Sequence, residues 1–362
     1  MPSARTIVVA GGGTAGHVYP VFEIVRALWA IDPALEIAYI GDARGPEREL
    51  LQQAQLAKPV AFYGITADKL RRYWDWRIFL LPFAVCAGTI QALSHLLALQ
   101  PVAVLCKGGY VGVPVAIAAW LLRIPIVLHE TDMVMGLANR MIAPFARKIA
   151  VSFPRPNLGT GSIREKLVYT GNPVRPEFHT PVRARAAGRP RLAITCGSQG
   201  SHAVNELVRA ILSQLLVRYH VTHVTGKADF AALSAATQHR EYEPVAYATD
   251  MPAVLRDADL VVSRSGGTIF ELAALGKPAI LIPHPATGSD HQRVNARFLA
   301  ERDAAVYLDQ VGLTPERLLE TITQLMRDST RRGTLAANIK QFSRPDAAAR
   351  VAELILSVAR KS

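Results

Sequence analysis

Short apolar runs alternate along this chain with stretches in which apolar residues recur every third or fourth position. TIVVA (6–10) runs into a glycine turn, after which Val21, Ile24, Val25 and Leu28 fall on one face of a helix. EIAYIGD (36–42), VAVLC (102–106), IPIVLHE (124–130) and KIAVSF (148–153) continue the strands. Strands alternating with helices predict parallel sheets in an α/β fold. After Tyr169 the texture changes: residues 172–191, NPVRPEFHTPVRARAAGRPR, are rich in Pro and Arg and lack apolar periodicity, as a linker does. The alternation then restarts. RLAITCGSQGSHAVNEL (191–207) echoes the strand, turn and helix of residues 5–24, and HVTHVTG (220–226), DLVVSRSGG (259–267) and PAILIPHP (278–285) supply further strands. The tail SRPDAAARVAELILSVARK (343–361) reads as one helix.

The expected organisation is therefore two Rossmann-like lobes: 1–178, a linker at 179–190, a second lobe at 191–343, and a terminal helix at 344–362 packing back towards the first lobe. A length of 362 residues agrees with more than one domain. Such sheets bind ligands beyond the carboxyl ends of their strands, which places the expected site in a cleft between the lobes. Forty-one Lys and Arg against 29 Asp and Glu leave a net charge of +12, which suits an anionic partner: nucleic acid, a phosphorylated substrate or a membrane surface. Cys86, Cys106 and Cys196 have no paired spacing, so neither a disulfide framework nor a zinc site is expected, a reducing compartment is favoured, and export is not expected. Residues 78–106 lack Asp, Glu, Lys and Arg and could span a bilayer by length, but Pro82, Gly88, Gln91, Ser94, His95, Gln100 and Pro101 interrupt them. They read as a helix followed by a strand.

Gly11, Gly13 and Gly16 in IVVAGGGTAGHVYP (7–20) fit G-x-G-x-x-G, where a helix N-terminus offers N–H groups to an anion. A nicotinamide dinucleotide would also need an acid on its ribose, and Asp42 stands 26 residues past Gly16. That reading explains neither His17 nor the second lobe, where GSQGS (197–201) and SRSGGTIFELAALGKP (263–278) form two more turns of this kind. Thr268 and Glu271 make either a capping box or a carboxylate for ribose hydroxyls. GSDHQRVNA (288–296) clusters His291, Gln292 and Asn295, whose polar groups suit sugar hydroxyls or a solvated helix start. His95, His202, His220 and His223 lack such a setting and read as structural. DKLRRYWDWRIFLLPF (68–83) interleaves Lys69, Arg71, Arg72 and Arg77 with Tyr73, Trp74, Trp76 and Phe79. Cations among aromatics suit an anionic membrane interface or single-stranded nucleic acid. With no nucleic-acid module alongside, the membrane reading leads and no nucleic acid is expected. Asp257 and Asp259 form a literal D-x-D, but ahead of a strand, so they read as a turn and no protein-bound metal or other cofactor is expected.

The ordered set GGGTAGHVYP, KGGYVGVP, HETD, GNPVR, GSQGSHAVNEL, RSGGTIFELAALGKPAILIP and DHQRVNA closely resembles the MurG family of N-acetylglucosaminyltransferases, from residue 7 to about 300. The resemblance implies a GT-B fold and transfer of GlcNAc from UDP-GlcNAc to an undecaprenyl-linked muramyl-pentapeptide acceptor (lipid I), at the cytoplasmic face of the inner membrane. It implies that Ser198 and Arg175 face the donor diphosphate, that Gly266, Gly267 and Thr268 sit by the phosphates and nucleoside, and that Glu271 holds the ribose. Gln292 and Asn295 would hold the transferred sugar. Thr14, Ala15, Gly16 and His17 would line the cleft from the first lobe, with Tyr110, Asp132 and Asn139 on the acceptor. Lys69, Arg71, Arg72, Trp74 and Trp76 would meet the membrane. Ala15 stands where the family usually has glycine, Asp132 where asparagine is usual, and RSGGTIFE is about one residue shorter than the common form.

The implied reaction is attack of the muramyl 4-hydroxyl on the anomeric carbon, with inversion and release of UDP. Helix N-termini and Arg175 would stabilise the diphosphate. His17, at a helix N-terminus that favours neutral imidazole, is one candidate base, and Asp132 is another, acting directly or by orienting His17. Alternatives are a nucleotide-sugar 2-epimerase or a transferase for a different lipid-linked acceptor, a dehydrogenase, and a non-catalytic binding module.

Overall fold

The computed structural model describes residues 5–12, 15–68, 81–154, 158–159, 161–180, 188–197 and 200–360, apart from the side chains of Ala15 and His17. They form two compact units, Met1–Arg175 with Arg344–Ser362, and Pro176–Ser343.

In the first unit, strands β1 (Thr6–Ala10), β2 (Glu36–Asp42), β3 (Ala61–Ile65), β4 (Ala103–Cys106), β5 (Ile126–Glu130), β6 (Lys148–Val151) and β7 (Leu167–Tyr169) are threaded by helices α1 (Ala15–Ile31), α2 (Glu47–Gln53), α3 (Leu81–Leu99), α4 (Gly112–Leu121), α5 (Leu137–Ile142) and α6 (Ser162–Glu165). Among the described residues the sheet is parallel, in the order β3-β2-β1-β4-β5-β6-β7. Every residue of β1 is buried. Val8 and Ala10 join the layer under α3, α4 and α5, while Ile7 and Val9 join the one under α1. The apolar stretch at 78–106 divides as expected into helix and strand: α3 is the crossover from β3 to β4, and its Gly88 is seated against Pro114 of α4. By length and composition alone α3 could cross a bilayer, and its place in this crossover accounts for its apolar inner face.

The second unit repeats the plan. Strands β8 (Arg191–Thr195), β9 (His220–Val224), β10 (Tyr242–Val245), β11 (Leu260–Ser263), β12 (Ala279–Leu281) and β13 (Val306–Tyr307) run parallel in the order β10-β9-β8-β11-β12-β13. Helices α7 (His202–Leu216), α8 (Lys227–Ala236), α9 (Met251–Asp257), α10 (Thr268–Leu275), α11 (His291–Ala300), α12 (Pro315–Arg327) and α13 (Ser329–Lys340) connect them. In each sheet the strand order reverses once, between β1 and β4 and between β8 and β11. The glycine turns after β1, β4, β8 and β11 all flank these switch points, the place where such sheets take ligands.

The boundary differs from the expected one. The second unit begins at Pro176, because Pro176–His179 forms a 3-10 turn whose Phe178 is fully buried and whose Glu177 carbonyl accepts a hydrogen bond from Arg256 (2.8 Å). Residues 181–187 of the expected linker lie outside the described residues. The last helix, α14 (Ala347–Val358), belongs to the first unit and lays Val351, Ala352 and Ile355 against the sheet beside α1.

Gly171 fixes where that helix starts. Its φ is +82°, and a Cβ there would stand 2.5 Å from Cβ of Arg344, whose guanidinium lies 5.1 Å from the ring centre of Tyr169. Gly171→Ala combines left-handed strain with a clash that no rotamer relieves, so it should destabilise the first unit by about 2 kcal/mol or more. A urea unfolding curve checks this, and an unchanged midpoint would contradict the packing.

Candidate active site

The polar chemistry gathers at the carboxyl ends of the strands in each unit. In the second unit, the turn after β8 sits directly on the end of β9, since a Cβ at Gly200 would come 2.0 Å from the Thr225 carbonyl oxygen. Ser201, at the cap of α7, does not cap it. Its hydroxyl instead accepts from Arg264 (2.5 Å), whose other nitrogen donates to the Ile282 carbonyl (2.8 Å). The first N–H groups of α7 are thus left without a side-chain cap, beside a buried guanidinium. The turn after β11 is similar. Gly267 occupies the cap of α10 and Thr268 is its first residue, so the expected capping box with Thr268 at the cap is not formed. Glu271 lies in the first turn. A Cβ on Gly267 would meet nothing within 4 Å, which leaves this backbone open to approach.

Two side chains fasten α11 to that turn, and a third ties it to the segment after β12. Ser265 Oγ donates to the Gln292 carbonyl (2.7 Å), Asn295 Nδ2 donates to the Ser265 carbonyl (3.0 Å), and Gln292 Oε1 accepts from the His284 N–H (2.9 Å). Gln292 Nε2 lies 3.7 Å from where a Gly266 Cβ would stand, so its amide borders the glycine turn. Asn295, expected on the sugar, is buried with its Nδ2 donating to the Ser265 carbonyl. His291 Nδ1 is turned to the Gly288 carbonyl, 2.6 Å away. Ser289 and Asp290, at φ 57° and 54°, put two successive non-glycine residues in the left-handed region at the entry to α11, a local cost of the kind found at binding sites. Asp257 and Asp259 lie at the opposite edge, where both hold Arg191 (3.2 and 2.7 Å) between α9 and β11.

Behind α7 runs a buried polar chain. His223, with no exposed surface, has Nε2 3.0 Å from Asn205 Oδ1 and Nδ1 3.1 Å from the Tyr242 hydroxyl. Asn205 Nδ2 donates to the Thr225 carbonyl (2.9 Å) and to Asp229 (2.7 Å), and Asp229 also pairs with His202 (3.0 Å). One proton arrangement satisfies the chain: Nε2 carries the hydrogen and Nδ1 accepts from Tyr242. Burial lowers the His223 pKa to about 4, which keeps the ring neutral.

In the first unit the glycine turn is occupied differently. Glu47, fully buried, reaches between Gly12 and Gly45, where a Cβ would come 2.0 and 1.9 Å from its carboxylate oxygens. Asp42, the acid a nicotinamide dinucleotide would need, is buried and already accepts from the Tyr110 hydroxyl (2.9 Å) and the Arg44 N–H (3.0 Å). Burial and Asp42 push the Tyr110 phenol above its usual range. Beyond β5, Glu130 accepts the Asp132 N–H (2.9 Å) and the Asn139 Nδ2 (2.7 Å). Asn139, expected on the acceptor, is buried with its Nδ2 on Glu130. The guanidinium of Arg175, expected at the donor diphosphate, lies 5.2 Å from the ring centre of Tyr19 on α1. Gly16 lies exposed in the first turn of α1. Thr14, Ser198, Lys69, Arg71, Arg72, Trp74, Trp76 and the side chains of Ala15 and His17 lie outside the described residues. Glu47, Lys107, Glu130 and Arg264 carry no signal in the sequence that marks them as site residues. Only the position of each beside a strand end or glycine turn could have marked it.

Residues 7–151 match the N-terminal domain of glycosyltransferase family 28, and residues 191–351 match its C-terminal domain. The chain is 33% identical to the UDP-N-acetylglucosamine--N-acetylmuramyl-(pentapeptide) pyrophosphoryl-undecaprenol N-acetylglucosamine transferase of Listeria monocytogenes, over 97% of this chain and 99% of that one. It is 36% identical to the protein of the same name from Clostridium kluyveri, over 89% and 91%. Among solved structures, MurG of Acinetobacter baumannii superposes with a TM-score of 0.78 at 28% identity, covering 98% of this chain and 99% of the other.

The neutral His223 sets a pH dependence. An unfolded imidazole titrates near 6.5 and the folded one near 4, so the unfolded chain binds more protons between those values. Stability of the second unit should therefore be full above about pH 6.5 and fall, by roughly 3 kcal/mol, as pH drops towards 4. His223→Gln should flatten that fall in urea titrations across the interval. An equally steep fall in the variant would assign it to other groups.

Proposed function

The chain belongs to the MurG family within glycosyltransferase family 28, and on that premise we propose that it moves GlcNAc from UDP-GlcNAc to the muramyl 4-hydroxyl of undecaprenyl-diphosphate-MurNAc-pentapeptide, giving lipid II. Its GT-B fold consists of two Rossmann-like units. The observation that carries the assignment of roles is the contrast between the glycine turns. In the second unit the first N–H groups of α7 have no side-chain cap and lie beside Arg264, which suits a nucleoside diphosphate, whereas in the first unit the carboxylate of Glu47 stands beside Gly12.

In this reading α7 and α10 stabilise the charge that develops on the leaving diphosphate, with Ser198 and Arg175 contributing, and no protein-bound metal takes part. Glu271 accepts hydrogen bonds from the ribose hydroxyls, and Gln292 those of GlcNAc. The acceptor oxygen attacks the anomeric carbon, its proton passes to His17 or Asp132, and the bond to the diphosphate breaks with its electron pair leaving on UDP. Peripheral attachment to an anionic membrane, at the cytoplasmic face, draws support from α3. Phe83, Ile90 and Leu97, spaced seven residues apart on one face, are 73%, 67% and 59% exposed, and Trp120 and Leu121 stand out at the end of the adjacent α4.

UDP and UDP-GlcNAc should raise the melting temperature and NAD should not, and Glu271→Ala should weaken UDP binding about tenfold or more through the lost charged hydrogen bonds. Equal protection by NAD would sink the donor assignment. For the membrane, replacing Phe83, Ile90 and Leu97 by Ser should release the protein from anionic vesicles while leaving turnover of a short-chain soluble acceptor within about twofold. Undiminished vesicle binding would move the interface elsewhere.

A further inference from the structure

Lys107 follows β4 directly and is 1% exposed. Among the described residues its ammonium hydrogen-bonds Thr131 Oγ1 (2.5 Å). Thr131 stands between Glu130 and Asp132, and Glu130 in turn receives the Asp132 N–H. An ammonium withdrawn from water is costly unless carboxylates nearby offset it. Both are present: Glu130 and Asp132 favour its charged form against the burial that draws its pKa down to about 8. The same balance acts on Glu130, which burial and then Asp132 push up to about 7, while the Asp132 N–H, Asn139 and Lys107 oppose the rise. Without the ammonium, two neighbouring carboxylates would face each other in a low dielectric at the end of β5.

We infer that Lys107 is a positioning residue for the transfer reaction: it pins Thr131 and balances the Glu130 and Asp132 carboxylates, so that the loop after β5 holds one geometry towards the acceptor. The inference rests on the acceptor role proposed above for the first unit. It predicts that the charge at 107 and the charge at 132 act as one unit, which a packing role for the lysine stem would not require.

The test is a double-mutant cycle with Lys107→Met, Asp132→Asn and the pair, followed in acceptor KM, donor KM, kcat and melting temperature. Lys107→Met should raise the acceptor KM about tenfold or more and leave the donor KM within about twofold. Adding Asp132→Asn should recover most of that loss in acceptor KM, a non-additivity of about tenfold, whatever it does to kcat, which is read separately because Asp132 is also a candidate base. Additive losses, or a donor KM that rises as much as the acceptor KM, would overturn the inference. If Lys107→Met does not fold, Thr131→Val keeps both charges and removes only the hydrogen bond: a raised acceptor KM at unchanged donor KM supports the inference, and an unchanged acceptor KM overturns it. Wild-type turnover tests the acceptor reading separately. Coupling of 107 and 132 in melting temperature without any wild-type transfer would retain the charge balance and overturn its role towards the acceptor.

Discussion

At the carboxyl edge of both sheets, backbone meets backbone at distances that exclude a Cβ. A methyl at Gly200 would stand 2.0 Å from the Thr225 carbonyl oxygen, and one at Gly109 would stand 2.5 Å from that of Gly12. Parallel strands bring the N-termini of their following helices to one edge, and the reversal of strand order sets the turns after β1 and β4, and after β8 and β11, side by side. Larger residues would hold the turn after β4 off that after β1, and the turn after β8 off the end of β9.

What fills that edge differs between the units, and the difference follows chemistry. The second unit offers the uncapped α7 terminus, the approachable backbone at Gly267 and the buried guanidinium of Arg264, all favourable to a diphosphate. The first concentrates carboxylates: Asp42, Glu47, Glu130 and Asp132 lie at or beyond the ends of its strands, with Lys107 among them. Carboxylates repel a diphosphate placed directly on the first turn, and suit a hydroxyl that must lose a proton. A dinucleotide reading of the first turn fails on the same ground, since Asp42 is committed to Tyr110 and Glu47 fills the place beside Gly12.

Most of the architecture is legible in the sequence because buried parallel strands and amphipathic crossover helices leave periodic signatures. IVLHE and LVVS are strands where their apolar runs place them, and the terminal helix begins close to Pro345. The boundary at Pro176 was not legible, because burial of Phe178 against the second unit is a long-range event within a Pro-rich stretch. The site was legible in its glycine turns and less so in its polar side chains. Asn139 and Asn295 look alike in sequence whether they face a ligand or the scaffold, and in the fold the Nδ2 of each donates to a neighbouring element. Lys107 and Arg264 carry no periodicity at all, and their partners lie 24 and 63 residues away. Such residues become visible only when the strands are assembled.

The most direct measurement is of the product itself. Incubation with UDP-GlcNAc and an undecaprenyl-linked muramyl-pentapeptide acceptor, analysed by mass spectrometry and by NMR of the new glycosidic linkage, should show UDP released in step with a disaccharide joined through a β bond to the muramyl 4-hydroxyl. Consumption of UDP-GlcNAc by hydrolysis or by inversion at the sugar's C2, with the lipid-linked acceptor left unglycosylated, would contradict the account.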